Sequence, residues 1–314
     1  MRGGPSSEYD VSLKTGGAIL SNLPSHFEPL DILISKDGTW HHRGLTTTPE
    51  KVLRQVDVVF NALHGEYGED GEVQRTLEAF GAPYTGSGVL GSVLAMNKMK
   101  SKEIAKSLGI RVPRGRLVRR DEDPEHVAKE IFVTFLQPLI VKPVSLGSSV
   151  GVTMAMGLLP LIESIARLQD AGYDVLVEER VKGSEATCGV VDGFRGVSKY
   201  ALLPVEIRPA NASKVFDYEA KYQGKAEEIC PGNFTREQSE ELQRRAIEIH
   251  DALGLRHYSR SDFIVTPRGV YYLETNSLPG LTQESLLPKS LQAVGSSLGE
   301  FIDHVLTSAL KRNI

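Results

Sequence analysis

The sequence predicts an α/β protein of three units: an N-terminal unit with a parallel sheet, then two α+β units. Three observations carry that prediction. The first third alternates strand and helix signals, the order that lays helices against a parallel sheet. Beyond it, 96–185 and 186–314 each combine short apolar strands with helix-periodic stretches, so each can build a layer of its own. Gly91 to Leu108 has the apolar spacing of one long helix, a bridge from the first unit to the second. The division is therefore 1–95, 96–185 and 186–314.

Near the start, Gly3-Gly4-Pro5-Ser6-Ser7-Glu8 is a glycine-rich loop of the kind that follows a β-strand. Only Met1 and Arg2 precede it, so either its supporting strand is missing or the loop is anchored differently. Val56-Asp57-Val58-Val59-Phe60-Asn61 has the β-branched and aromatic make-up of a buried strand, and 72–80 follows as a helix. In the second unit, strands are expected near 139–142, 150–154 and 175–179, with a helix over 158–171. In the third, strands are expected near 200–207, 261–266 and 270–276, with helices over 236–253 and 296–310. No internal repeat or low-complexity linker interrupts this order.

At 314 residues the chain can bury a sizeable core, and 40% hydrophobic with 24% charged residues is the balance of an ordinary soluble globular protein. A formal net charge of −4 gives no general pull toward nucleic acid or an anionic membrane, so a phosphate site has to be local. Apolar runs such as Pro138-Leu139-Ile140-Val141 are far too short to span a bilayer, and the polar, glycine-rich start carries no secretory signal. Cys188 and Cys230 are then expected as reduced thiols in a cytoplasm. Neither has the CxxC partner or adjacent histidine that would suggest a disulfide or a catalytic thiol.

The stretch richest in chemistry is Tyr271-Tyr272-Leu273-Glu274-Thr275-Asn276-Ser277-Leu278-Pro279-Gly280, a strand running into a turn. Side chains two apart on a strand share a face, so Glu274 and Asn276 point together. Asp262, after Arg260 in an earlier strand-like run, joins them if the two strands pair. Two carboxylates and an amide oxygen are hard ligands that suit Mg²⁺ held against nucleotide phosphates. In isolation, Glu274-x-Asn276 is more readily a solvated strand end.

Lys142 ends the apolar strand 139–142 and is followed by Ser145-Leu146-Gly147-Ser148-Ser149-Val150-Gly151. A lysine beside a turn of small residues grips phosphate well, because backbone N–H groups approach anionic oxygens closely while the ammonium adds charge. Taken alone it is as readily a solvated lysine before a hairpin, and no GK[ST] makes it a P-loop. Lys98, in Met96-Asn97-Lys98, would by itself be a surface lysine. Val175 to Glu185 is a strand leaving a core into a polar turn. Its backbone and Glu185 can hold an adenosine edge and ribose hydroxyls, or it is simply a charged strand end. His64-Gly65-Glu66-Tyr67-Gly68-Glu69-Asp70-Gly71 follows a strand, where α/β sheets bind ligands, and its spacing does not fit a Ca²⁺ loop. Phe216 to Tyr222 is a polar, aromatic loop of the kind that covers active sites or lies on a surface.

Together, GGPSSEYDVSL, HGEYGEDG, MNK, IVKP, LGSSVG, the stretch from Glu178 to Glu185, DYEAKY, RSD and LETNSLPGLTQESL stand in an order that resembles the D-alanine–D-alanine ligase family of the ATP-grasp fold, over nearly the whole chain. The resemblance implies ATP-dependent joining of two D-alanines to D-alanyl-D-alanine through a D-alanyl phosphate, with ADP and phosphate released, in a bacterial cytoplasm for peptidoglycan precursors. It implies that Lys98 and Lys142 contact ATP phosphates beneath the loop around Ser148, and that Glu178, Glu179, Val181 and Glu185 hold adenine and ribose. It implies two Mg²⁺ ions, for which Mn²⁺ can substitute, on Asp262, Glu274 and Asn276. Glu8 then pairs with the ammonium of the first D-alanine, Ser148 and Tyr222 tie two loops over it, and His64 lies near it. Arg260 and the Gly280 N–H stabilise the tetrahedral oxyanion, and Lys221 is a lid lysine near substrate and phosphate. Ser285 and Leu286 receive the carboxylate of the second D-alanine. The implied assembly is a homodimer through the N-terminal unit.

Tyr222 bears on the second substrate. Similar ligases that make D-alanyl-D-lactate commonly carry histidine there, which when protonated repels an ammonium nucleophile; tyrosine, neutral near pH 7, favours an amine. The chain departs from the family's pattern at Asn97, usually Asp, at Arg180, where an apolar aromatic is common, and at its short start; Leu146 stands where members vary between acidic and apolar. Two alternatives stand beside this expectation. One is a ligase making D-alanyl-D-lactate or D-alanyl-D-serine, or another ATP-grasp carboxylate–amine ligase. The other is a nucleotide-binding homologue without ligase activity, against which stands the intact set Lys98, Lys142, Arg260, Asp262, Glu274 and Asn276.

Overall fold

The computed structural model describes residues 1–147, 151–209 and 226–311. The first unit comprises β1 (Arg2–Gly3), α1 (Tyr9–Ser21), β2 (Ile32–Ile34), β3 (Trp40–His42), β4 (Leu45–Thr47), α2 (Pro49–Leu53) and α3 (Glu72–Ala79). Its sheet runs β1-β2-β3-β4, with β1 parallel to β2 and the other pairs antiparallel. The strand ahead of the glycine-rich loop is thus present, but only two residues long. Ser12 on α1 locks it, accepting the Gly3 N–H at 2.8 Å and donating to Ala62 O at 2.8 Å. The strand expected over 56–61 shrinks to one parallel bridge, Val59 to Tyr84, because its short neighbour β1 offers little backbone to pair with. Single hydrogen bonds continue the parallel order: Met1 N to Phe60 O at 3.0 Å, and the Thr85 N–H to Val59 O at 2.9 Å. Beside β1, a cavity of about 530 Å³ is lined by Leu20, Leu23, Leu30, Val56 and Val58.

The stretch expected as one bridging helix is two, α4 (Val89–Met96) and α5 (Lys98–Ser107). Asn97 breaks it: its backbone is extended (φ −84°, ψ 100°), and its side chain accepts the Lys100 N–H as N-cap. The break places Lys98 at the first position of α5.

The second unit holds β5 (Gly115–Val118), α6 (Pro124–Thr134), β6 (Leu139–Pro143), β7 (Thr153–Ala155), α7 (Leu158–Asp170) and β8 (Val175–Glu179). Its antiparallel sheet has the order β5-β8-β6-β7. One face buries Leu139, Val141, Val175 and Val177 under α6 and α7; the alternation of a strand then turns Lys142 and Glu178 to the other face.

The third unit holds β9 (Ser184–Asp192), β10 (Lys199–Ala201), β11 (Val205–Pro209), β12 (Ala226–Ile229), α8 (Arg236–Ala252), β13 (Tyr258–Thr266), β14 (Gly269–Asn276), α9 (Leu286–Ala293) and α10 (Leu298–Leu310). The run expected as one strand over 200–207 is divided between β10 and β11 around Pro204, which has no N–H to give a ladder. The sheet order is β12-β11-β9-β13-β14, with β10 also on β9, so β9 is central and β13 lies between it and the edge strand β14. A buried cluster including Ala105 of α5, Leu242 and Ile249 of α8, and Phe263 and Tyr272 of the sheet fixes α5 against this unit. Among the described residues, no helix is long and apolar enough to cross a membrane.

Candidate active site

Asp262 and Glu274 face each other across β13 and β14, and Arg260 faces Asn276 one step along. All four therefore share one face of the sheet. A bulge after Asp262 skips Leu273 and re-aims the strand at this point. Asp262 accepts the Thr187 hydroxyl at 2.5 Å and the Arg260 guanidinium at 3.2 and 3.3 Å, and the Asn276 amide lies 3.5 Å from it. Behind them, Ser261, Thr275 and Tyr272 share hydroxyl hydrogen bonds of 2.8 and 2.9 Å, which holds the strand end from its buried side. Among the described residues no group of three or more His, Cys, Asp or Glu stands ready to hold a metal. Here two carboxylates are joined by an amide, a donor set of hard oxygens that fits Mg²⁺.

Against this face stand three buried lysines. Lys98 Nζ lies 3.6 Å from Glu274 and donates to Leu146 O. Burial pulls its pKa down, and the charge of Glu274 opposes the pull. Lys142 is 2.8 Å from Glu178, whose other oxygen binds Lys102. Burial would push the Glu178 carboxyl up, but the two ammonium groups outweigh it and hold the group below its ordinary range. Lys102 is lowered to about 7, chiefly by burial. Lys102 was not foreseen from sequence, although it stands one turn after Lys98, on the same face of α5. Of the remaining nucleotide candidates, Glu179 accepts the Leu136 N–H at 2.9 Å, while Val181 and Glu185 are half-buried where β8 passes to β9.

The opposite wall comes from the N-terminal unit. Glu8 is the buried N-cap residue of α1, and Gly147 lies so close that a Cβ there would collide with its carboxylate. His64 is buried, its Nε2 2.8 Å from the Thr15 hydroxyl. Burial lowers its pKa to about 4, a backbone hydrogen bond with Leu278 opposing and the charge of Arg260 adding. Gly65, at φ +70°, turns the chain where a side chain would strike Ser6. Glu69 accepts the Gly65 N–H at 2.8 Å and the Leu278 N–H at 3.1 Å; burial and then the charge of Glu8 push it up to about 8. It lay inside a quoted motif without being singled out.

Beyond Asn276, Gly280 lies so near Ser285 that a Cβ would stand 2.9 Å from its hydroxyl. Ser285 is the N-cap residue of α9, its hydroxyl 2.8 Å from that of Thr282. The Leu286 side chain is buried with Val205 and Ile207, so its contribution to a site is its backbone N–H. Glu8, His64, Lys98, Arg260, Asp262, Glu274 and Asn276 thus converge on one cleft, whose narrow throat is lined by Glu69, Lys98, Gly147, Glu274 and Asn276. Ser148, Lys221 and Tyr222 lie outside the described residues.

Two family models match the chain, one described as D-ala D-ala ligase C-terminus over residues 104–307 and one as D-ala D-ala ligase N-terminus over 42–87. A D-alanine–D-alanine ligase of Geobacter sulfurreducens is 40% identical over 317 residues, covering 98% of this chain and 92% of that protein. Among solved structures, the VanG D-Ala:D-Ser ligase of Enterococcus faecalis superposes with a TM-score of 0.82 at 30% identity, covering 98% of this chain and 97% of that one. The D-alanine–D-alanine ligase of Bacillus anthracis complexed with ATP does so with a TM-score of 0.79 at 31% identity, covering 99% and 96%.

Proposed function

The chain belongs to the D-alanine–D-alanine ligase family, and on that premise we propose how its own residues carry out the reaction. It is an ATP-dependent ligase that joins D-alanine to D-alanine. A carboxylate is a poor electrophile, so ATP has to convert one of its oxygens into a leaving group. The carboxylate of the first D-alanine attacks the γ-phosphorus of ATP, forming D-alanyl phosphate and ADP. The amine of the second D-alanine, having lost a proton, then attacks the acyl carbon, and phosphate leaves with the original carboxylate oxygen.

Lys98 and Lys142 hold the phosphates in this scheme, with Lys102 and Glu178 keeping Lys142 in place. The β8–β9 passage from Glu178 and Glu179 to Val181 and Glu185 receives adenine and ribose. Asp262, Glu274 and Asn276 hold Mg²⁺, which when bound neutralises phosphate charge. Glu8 takes the ammonium of the first D-alanine with His64 beside it, and Ser148, Lys221 and Tyr222 cover it and exclude water. Arg260 and the Gly280 N–H meet the oxyanion, and Ser285 with the Leu286 N–H takes the second carboxylate at the start of α9. The division at 95/96 and 185/186 stands with this scheme as three units around one cleft. Exposed Leu90 and Val93 on α4 favour a homodimer through the first unit.

The observation that carries the scheme is the Asp262–Glu274 pair with Lys98 3.6 Å from Glu274. It places hard anionic ligands and a buried cation at one point, as bound phosphate and metal require. The test is ADP release with ATP and Mg²⁺, alone and with D-alanine, D-lactate or D-serine as acceptor, from pH 6 to 9. D-alanine-dependent release with dipeptide as the main product is expected. D-lactate or D-serine incorporation dominating at neutral pH would overturn the assignment of the second substrate.

A further inference from the structure

Given that ligase chemistry, we propose that Glu69 is a positioning residue that clamps the loop beside the first substrate to the turn carrying Gly280. The two segments lie far apart in sequence, and one side chain joins them. Glu69 Oε2 accepts the Gly65 N–H at 2.8 Å, and Oε1 accepts the Leu278 N–H at 3.1 Å. Gly65 follows His64 directly, and Leu278 stands two residues before Gly280. Fixing the distance between these N–H groups fixes the distance between the residues that meet the substrate and the one that meets the oxyanion.

The clamp has firm footing. The Glu69 N–H donates to Gly65 O at 2.8 Å, closing the loop on itself. Just before it, Gly68 O accepts the Gln74 amide at 2.7 Å and the Asn61 amide at 3.3 Å, both buried side chains. His64 bonds to the same Leu278 backbone and is held from behind by Thr15, so the turn is gripped at two points. Glu69 itself is 8% exposed. Burying a carboxyl group beside Glu8 is unfavourable unless its oxygens are bonded. What the ionised form of this group supplies, and no amide can, is two acceptor atoms on one rigid group facing two N–H donors. In glutamine one of those positions becomes an NH₂ turned against an N–H. The clamp borders the throat of the cleft beside Lys98, Gly147 and Asn276, where a loosened turn would shift the oxyanion donor without touching the nucleotide.

Glu69→Gln keeps the shape of the side chain and removes one acceptor; Glu69→Asp keeps both acceptors on a shorter stem. The experiment measures kcat by D-alanine-dependent ADP release and the ATP dissociation constant by calorimetry, in the full chain and both variants, at about pH 9, above the value of about 8 to which Glu69 is raised. The expected result is a kcat at least about tenfold lower in Glu69→Gln, a smaller loss in Glu69→Asp, and ATP affinity within about twofold of the parent in both, since misplacing a reacting group costs rate rather than remote binding. A smaller loss of kcat in Glu69→Gln, or ATP affinity falling in step with kcat, would overturn the clamp. The parent is assayed first: without D-alanine-dependent ADP release the ligase assignment itself falls, whereas a normal parent with an unaffected variant removes only the role of Glu69.

Discussion

The β13–β14 hairpin and the loops of the N-terminal unit face one cleft, yet they hold their side chains by different means. On the hairpin, Asp262 opposes Glu274 on one side and Thr187 on the other, so its place is set by backbone ladders along both edges of β13. In the N-terminal unit, Glu8 is a helix cap and His64 and Glu69 stand on a loop after a single bridge, held by buried side-chain hydrogen bonds. The difference suggests two kinds of rigidity. Register makes the β13–β14 wall stiff whatever the charge state of its residues. The N-terminal wall is stiff only while its buried polar groups keep their partners.

The largest expected effect tests the first wall. Glu274→Gln is expected to lower turnover about 1,000-fold while the circular dichroism spectrum stays that of the parent, because the proposed metal ligand is lost and the ladder is not. Turnover within threefold of the parent would break the comparison at its rigid end. Next, Glu178→Gln leaves Lys102 and Lys142 buried against each other, and the unfolding free energy measured in urea is expected to fall by about 3 kcal/mol. An unchanged midpoint would show that the lysines find other partners.

The second wall is sharpened by pH. Burial holds folded His64 near 4 against 6.5 for the free imidazole, so between those values the unfolded chain binds more protons. The stability it contributes is complete above 6.5 and is lost as pH falls toward 4. Glu69, raised to about 8, runs the opposite way, since its folded form keeps a proton that the unfolded chain gives up. The effect of His64 is therefore read as the gap in unfolding free energy between the parent and His64→Gln. That gap is expected to shrink by about 2 kcal/mol between pH 7.5 and pH 5; a gap independent of pH would deny the buried neutral imidazole. Smallest of all, Arg75→Ala on α3 removes only an exposed pair with Glu72 and is expected to change stability by less than about 0.5 kcal/mol, the control for the buried variants.

The same contrast explains what could be read from the sequence. The face proposed to hold metal was legible because a strand has a period of two: Glu274 and Asn276 had to share a face, and Asp262 joined them once the strands paired. The N-terminal unit was less legible. A two-residue β1, a strand reduced to one bridge and the clamp at Glu69 all depend on partners distant in sequence, which local composition does not record. The helix break at Asn97 was within reach, since Asn is a favoured N-cap, but apolar periodicity on both sides masked it. Lys102 escaped because a lysine on an exposed-looking helix gives no sign of the Glu178 that buries it.

The most direct test follows oxygen. D-alanine carrying ¹⁸O in its carboxylate is incubated with the protein, ATP and Mg²⁺, and the products are weighed by mass spectrometry. Attack of that carboxylate on the γ-phosphorus predicts D-alanyl-D-alanine together with phosphate that carries one ¹⁸O. Unlabelled phosphate, or ADP released without dipeptide, would contradict it.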